Sequence, residues 1–190
     1  VTGEYSIDES ITEKLSSERV DDFNLGMSKT KALYMPHAMA YPHTCVIDRD
    51  ALSDDDAAIL REVSPSNAID LDMAEKEIEV DAGAIIVATG WRPYDAVKLE
   101  NLGFGKFQNV ITNVMMERLG ATNGPTGGKI LRPSDQVPAQ KIAFVQCAGS
   151  RDENHLPYCS SVCCSASLKQ ALYFTRQDKE HLADIYYIDL

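Results

Sequence analysis

Residues 141–146 read Lys-Ile-Ala-Phe-Val-Gln, residues 162–177 read Val-Cys-Cys-Ser-Ala-Ser-Leu-Lys-Gln-Ala-Leu-Tyr-Phe-Thr-Arg-Gln, and residues 183–190 read Ala-Asp-Ile-Tyr-Tyr-Ile-Asp-Leu. The first is an apolar run of strand length, expected to be buried. The second has the length and composition of a helix, and the third predicts another strand. Strand, loop, helix, strand is the repeating unit of a doubly wound sheet, so the fold class is α/β with a partial sheet of that kind.

Working outward, residues 83–90 read Gly-Ala-Ile-Ile-Val-Ala-Thr-Gly. A continuously apolar run of this length predicts a strand buried on both faces. Its small carboxyl-terminal residues let another body approach the backbone, and ligands sit at that end in open α/β sheets. The run is either a cofactor edge or a plain buried strand with a turn glycine. Before it, 69–73 and 77–80 alternate apolar and polar residues around a turn at 74–76, which predicts a β-hairpin. Ser53 is placed to cap a helix, with Asp56 three residues on completing a capping-box pattern. Ala57, Ile59, Leu60 and Val63 form its apolar side, and Ser64-Pro65-Ser66-Asn67 ends it. Residues 10–22 form a short polar helix or an unstructured lead. Residues 34–44, with Pro36 and Pro42, read as irregular chain, and 45–47 as a brief strand. After 101–105, a loop, Val110 and Ile111 suggest another brief strand and Asn113 to Leu119 a short helix. The Gly- and Pro-rich stretch 120–138 reads as a surface loop or lid. The chain divides into an irregular segment (1–50), a part with the hairpin and Gly/Pro-rich loop (51–140), and a β–α–β unit (141–190).

Composition excludes several functions. The 190 residues carry 18 Lys and Arg against 29 Asp and Glu, a net charge of −11. Such a chain offers no cationic face for nucleic acid or for an anionic membrane surface. With 44% apolar and 25% charged residues it is ordinary globular material. No apolar run reaches the roughly 18–20 residues of a membrane span. Val1 brings no initiator Met, basic start or apolar signal core, so the chain is expected to begin inside a longer protein.

Of five cysteines, Cys147, Cys159, Cys163 and Cys164 fall within 18 consecutive residues, spaced Cys-x11-Cys-x3-Cys-Cys. They stand where a Gly-x-Gly-x-x-Gly phosphate loop would follow a Rossmann strand, and that fingerprint is missing. A helix N-terminus favours thiolates through its partial positive charge. Four thiols from one loop and one helix start suit a 4Fe–4S cluster or a zinc ion, and the four sulfurs are expected to converge at the tip of this β–α unit. Two other readings stay open: a redox dithiol of Cys159 with Cys163, and core packing for one of the adjacent Cys163 and Cys164. The spacing is that of neither a ferredoxin nor a zinc ribbon. Clustered thiols of this kind belong to a reducing compartment, and Cys45, standing apart, reads as a buried thiol.

At this point a resemblance enters. Residues 109–118 (Asn-Val-Ile-Thr-Asn-Val-Met-Met-Glu-Arg), 144–159 (Phe-Val-Gln-Cys-Ala-Gly-Ser-Arg-Asp-Glu-Asn-His-Leu-Pro-Tyr-Cys) and Val162-Cys163-Cys164 resemble the heterodisulfide reductase A-subunit family of flavoproteins. Residues 23–31 (Phe-Asn-Leu-Gly-Met-Ser-Lys-Thr-Lys) and 90–95 (Gly-Trp-Arg-Pro-Tyr-Asp) fit as well. The likeness extends to the branch in quinone-interacting membrane-bound oxidoreductase complexes (QmoA). It implies a fragment of a flavoprotein with two Rossmann-like, FAD/NAD(P)-binding-type domains, with 51–140 part of the FAD domain and 141–190 a degenerate second unit. It implies an FAD-dependent electron-transfer subunit of sulfur and sulfate metabolism, itself inactive as a fragment. Ala88, Thr89 and Gly90 then contact FAD, while Arg92 either faces the flavin or its phosphates or is a surface arginine. Cys147, Cys159, Cys163 and Cys164 match the family's 4Fe–4S ligands. The implied partners are other subunits of such a complex and adenylylsulfate reductase. The implied location is the cytoplasm, with membrane association only through partners. The family's Gly-rich ADP-binding unit and ferredoxin-type cysteine runs are not in this sequence.

Remaining candidates are weaker. Gly124 to Lys129 fails as a phosphate loop, since Asn123 and Ile130 stand where Gly and Ser or Thr belong. Asp189 is near a ribose-binding position but reads as a solvated strand end. Trp91 and Tyr94 read as packing residues or covers of a ring. His155, inside the cysteine loop, reads either as a hydrogen-bonding loop histidine or as a residue that tunes or replaces a ligand, and His37 and His43 suggest nothing specific. The rival functions are a zinc-holding interaction module and a thiol–disulfide reductase.

Overall fold

The structure, a computed structural model, describes residues 9–64 and 68–188. It forms two units, one ending at Thr89 and the other starting at Gly90. In the first, α1 (Glu9–Glu13) precedes β1 (Glu18–Val20), which pairs antiparallel with β2 (Lys29–Lys31). β3 (Leu33–Tyr34) pairs antiparallel with β4 (Val46–Ile47), close to the strand expected at 45–47. α2 (Asp54–Val63) follows. Leu15, Leu33 and Leu60 are the buried centre, with Ile11, Cys45, Ile47, Leu52 and Ile59 packed around them.

The expected cap is half realised. The Ser53 hydroxyl accepts from the Asp56 N–H at 3.2 Å. The return arm of the box is replaced, because the Ser53 N–H donates to the Ser17 hydroxyl at 2.9 Å. Asp56 is buried, 2% exposed, and reaches the preceding strand region instead. Its carboxylate accepts the Ser17 N–H at 2.6 Å, the Ser16 N–H at 3.1 Å, and the Ser16 hydroxyl. Hydrogen bonding to the Ser17 side chain, then to the Ser16 and Ser17 N–H groups, holds its pKa down to about 2 against the opposing effect of burial.

Two sequence expectations fail here. Residues 69–80 form no hairpin, and Ile78 and Val80 are each 75% exposed. Residues 83–90 pair with no strand among the described residues, and Ile86 is 91% exposed. The reason is shared. A two-stranded ribbon is marginal alone, and a continuously apolar strand is stable only between neighbours with both faces covered. The described residues supply neither. The helix stop at 65–67 and Asp189 lie outside the described residues.

In the second unit, short 3₁₀ turns at Ala96–Lys98 and Glu100–Leu102 precede α3 (Asn113–Gly120), whose cap Thr112 accepts from the Met115 N–H at 3.3 Å. Val110 and Ile111 form no strand. β5 (Lys141–Val145), α4 (Cys163–Gln177) and β6 (Leu182–Tyr186) follow in the expected order. β5 and β6 are parallel, with Lys141 opposite Leu182 and Val145 opposite Tyr186. β5 is not buried throughout as expected. Ile142 and Phe144 turn inward and Val145 is 53% exposed, because only one face of β5 is covered.

α4 packs on α3 through a buried fork. The Gln170 amide donates to the Asn113 carbonyl at 3.0 Å and to Glu117 at 2.7 Å. Lys169 pairs with the same Glu117 at 2.7 Å, and the Tyr173 hydroxyl donates to the Met116 carbonyl at 3.3 Å. Burial, then the charge of Glu117, pushes the Tyr173 phenol upward. The 120–138 loop is tied down rather than lid-like. Gln177 donates to the Gly128 carbonyl at 2.8 Å and accepts the Ile130 N–H at 3.3 Å.

Asp56 makes the first unit acid-sensitive. Its folded pKa lies below its ordinary 3.8, so its contribution is complete above that pH and is lost as pH falls toward about 2. Asp56→Asn is expected to destabilise the unit at pH 7 by roughly 1–3 kcal/mol, and by less near pH 2. Denaturant unfolding followed by circular dichroism at both pH values checks this. An equal loss at both would exclude the ionised carboxylate as the cause.

Candidate functional site

β5 delivers its chain end to the cysteine loop. The Gln146 N–H donates to the Tyr186 carbonyl at 2.8 Å, prolonging the strand by one bond. Cys147 then turns the chain with φ +56°. Arg151 and Ser161 adopt φ +56° and +58°. Non-glycine residues in this left-handed region cost about 1–3 kcal/mol each and persist where surroundings hold them. The loop is closed by its own bonds: Leu156 N–H to the Gly149 carbonyl at 3.2 Å, Arg151 N–H to Tyr158 at 3.1 Å, and Asp152 N–H to Leu156 at 3.1 Å.

Tyr94 backs this loop. Its hydroxyl is 2.7 Å from His155 Nδ1, with the rings edge-to-face. A Cβ at Gly149 would stand 2.8 Å from the Tyr94 ring and 3.3 Å from Leu99, and Gly149 has φ +83°. Only glycine accepts both that approach and that conformation without strain. His155 is thus the hydrogen-bonding loop histidine the sequence suggested. The role of Tyr94 was missed, because no local pattern links it to a residue 61 positions away.

Cys163 and Cys164 open α4. Its cap, Val162, provides no side-chain acceptor, and no acidic residue occupies the first turn. The leading N–H groups and their partial positive charge are therefore left for another acceptor. Cys159 and Cys164 are exposed, Cys147 and Cys163 half-buried, and no disulfide links any of them. Each of three thiols is turned onto a near neighbour. Cys159 Sγ accepts the Ser161 N–H at 3.3 Å, Cys163 Sγ lies 2.9 Å from the Ser160 hydroxyl, and the Arg151 guanidinium reaches Cys147 Sγ at 4.0 Å. Among the described residues no three Cys, His, Asp or Glu side chains are gathered as a metal site, so the expected convergence of four sulfurs is not a feature of this arrangement. The donor set itself suits a cluster: unbridged thiols at the β5–α4 junction, beside an uncapped helix N-terminus.

Ala88, Thr89, Gly90 and Arg92 lie on exposed chain. Gly90 has φ +69°, and a Cβ there would meet nothing within 4 Å. Trp91 is 72% exposed rather than packed. In the first unit, an open cleft of about 290 Å³ is walled by Arg19, Phe23, Tyr34 and His37. Its cation is already paired, Arg19 lying 2.6 Å from Asp22 and 2.8 Å from Asp48.

These exposures set an order of reactivity. In the metal-free, reduced chain, Cys159 and Cys164 are expected to react first with a thiol-specific disulfide reagent. Cys147, Cys163 and Cys45, all half-buried, should follow; Cys45 is thus not the buried thiol the sequence suggested, although it packs against the Leu15–Leu33–Leu60 centre. Mass mapping of the labelled cysteines checks the order, and early labelling of Cys45 would refute it.

No family model matches the chain. Among curated proteins it is 40% identical over 168 residues to the A subunit of the ferredoxin/F420H2-dependent CoB–CoM heterodisulfide reductase of Methanosarcina acetivorans, covering 88% of this chain and 21% of that protein. It is 38% identical over 169 residues to the A subunit of the H2:CoB–CoM heterodisulfide,ferredoxin reductase of Methanothermobacter marburgensis, covering 88% and 25%. It is 40% identical over 171 residues to an iron-sulfur A subunit of the CoB–CoM heterodisulfide reductase of Methanopyrus kandleri, covering 90% and 26%. The chain therefore spans about a quarter of the length of the relatives it matches.

Proposed function

Starting from this homology to the A subunits of heterodisulfide reductases, we propose that the chain is part of an oxidoreductase subunit that passes electrons between partner proteins. The observation that carries the reading is the set of four unbridged cysteines at the junction of β5 and α4. A 4Fe–4S cluster held by Cys147, Cys159, Cys163 and Cys164 would supply one-electron exchange at that point. The protein's own part is electrostatic. The α4 N-terminus and, beside Cys147, the Arg151 guanidinium place positive charge at the junction, which suits an anionic thiolate-bound cluster. Exposure of Cys159 and Cys164 leaves the junction open to iron delivery and to a protein partner.

The finer reading adds FAD against Ala88, Thr89 and Gly90, with Arg92 facing the flavin or its phosphates. In the structure these residues lie on exposed chain that pairs with no strand among the described residues. The partners in this reading are other subunits of a heterodisulfide reductase-type complex. The quinone-interacting membrane complex with adenylylsulfate reductase is its narrower form. No helix among the described residues is long and apolar enough to cross a membrane; peripheral membrane association through partner subunits is part of this narrower reading.

Anaerobic reconstitution of the reduced chain with ferrous iron and sulfide tests the cluster site. The expected product is brown, holds roughly four irons per chain and gives an electron paramagnetic resonance signal on reduction. Cys159→Ser or Cys163→Ser should abolish loading, and Cys45→Ser should not. A colourless zinc complex of the four thiols, or an iron-free Cys159–Cys163 disulfide that turns over dithiol substrates, would overturn the proposal.

A further inference from the structure

We propose that Tyr94 and His155 are positioning residues that fix the cysteine loop at the β5–α4 junction. The inference rests on the reading of that junction as a cluster site. Tyr94 grips the loop at two places. Its ring lies against Gly149, two residues after Cys147, closely enough that a Cβ would stand 2.8 Å from it. Its hydroxyl is 2.7 Å from His155, four residues before Cys159. Around those grips the loop is joined to itself, Gly149 to Leu156 and Arg151 to Tyr158, so holding two points holds the segment. The platform is firm as well. Leu99, in the turns just after Tyr94, is 7% exposed and approaches the same Gly149 position.

The physical role follows from the spacing. Eleven residues separate Cys147 from Cys159, and a loop of that length left loose samples many arrangements. Anchoring it reduces the ordering that metal binding must impose, which favours loading and retention. Because His155 Nδ1 faces Tyr94, this nitrogen is engaged with the phenol and acts through the loop rather than on a metal.

The test uses the 190-residue chain reconstituted anaerobically with ferrous iron and sulfide. Tyr94→Phe removes the hydroxyl and keeps the ring against Gly149. His155→Ala removes the other partner and serves if the first variant folds poorly. Readouts are the rate of iron loss to a ferrous chelator and the magnetic resonance line shape of the reduced cluster. Each variant is expected to lose iron roughly five- to tenfold faster, with a broadened signal, and the double variant no faster than either single one. His155→Gln, which can still bond the phenol, should recover part of the retention. If Tyr94→Phe and His155→Ala keep wild-type retention and line shape while Cys159→Ser fails to load, the positioning role is refuted and the cluster site stands. If Cys159→Ser loads like the wild type, the site assignment falls and the positioning role with it.

Discussion

Two parallel strands cannot be joined by a tight turn. Once β5 and β6 pair in the same direction, the chain must leave one end of the sheet, travel back along a helix and re-enter at the other end. This places the carboxyl end of β5 and the amino end of α4 at the same junction, and the cysteine loop is what spans it. The second unit depends on that crossover staying in place. Gln170 holds α4 to α3 from a fully buried position, and the Lys141–Asp184 ion pair at 2.7 Å spans the paired strands. Phe174 is fully buried on the same helix and stacks on His181 just before β6, so the end of the crossover is held as well.

The junction also shows how one fold position can change its chemistry. In a dinucleotide site, glycines bring backbone N–H groups against a pyrophosphate at the helix start. Here one glycine, Gly149, remains in the loop, and its missing side chain makes room for Tyr94 rather than for a ligand. The donors offered are thiol side chains. The uncapped end of α4 serves either chemistry, since pyrophosphate and thiolate are both anionic. The left-handed backbone at Cys147, Arg151 and Ser161 is the strain that accompanies this rebuilt loop.

What the sequence made legible follows a physical division. Helices carry their own hydrogen bonds and caps, so α2 could be read from Ser53 and its apolar side, and α3 and α4 from the stretches 113–119 and 162–177, without knowing their surroundings. Strands borrow their bonds from neighbours. The apolar run at 83–90 and the alternating runs before it describe a sheet that the described residues do not contain, so the pattern was readable and the structure was not. Asp56 shows a subtler limit. Its position marked a cap, but with Leu60 docked on Leu15 and Leu33 the carboxylate bonds the Ser16 and Ser17 N–H groups instead. The cysteine spacing identified the candidate site directly. The contact that backs it, Tyr94 with His155, joins residues far apart in sequence and left no periodic trace.

The exposed run at 84–88 also has a consequence for how the chain behaves at high concentration. Ile85, Ile86 and Val87 are 84%, 91% and 78% exposed, uncharged and suited to β-pairing, the profile of a segment that seeds intermolecular stacking. Acidic gatekeepers stand just upstream at Asp70, Asp72, Glu75, Glu77, Glu79 and Asp81, and the whole chain carries −11. Mutual repulsion between copies opposes pairing of this segment with itself. High salt screens that repulsion and acid neutralises it, so either condition is expected to favour pairing of the exposed run between copies.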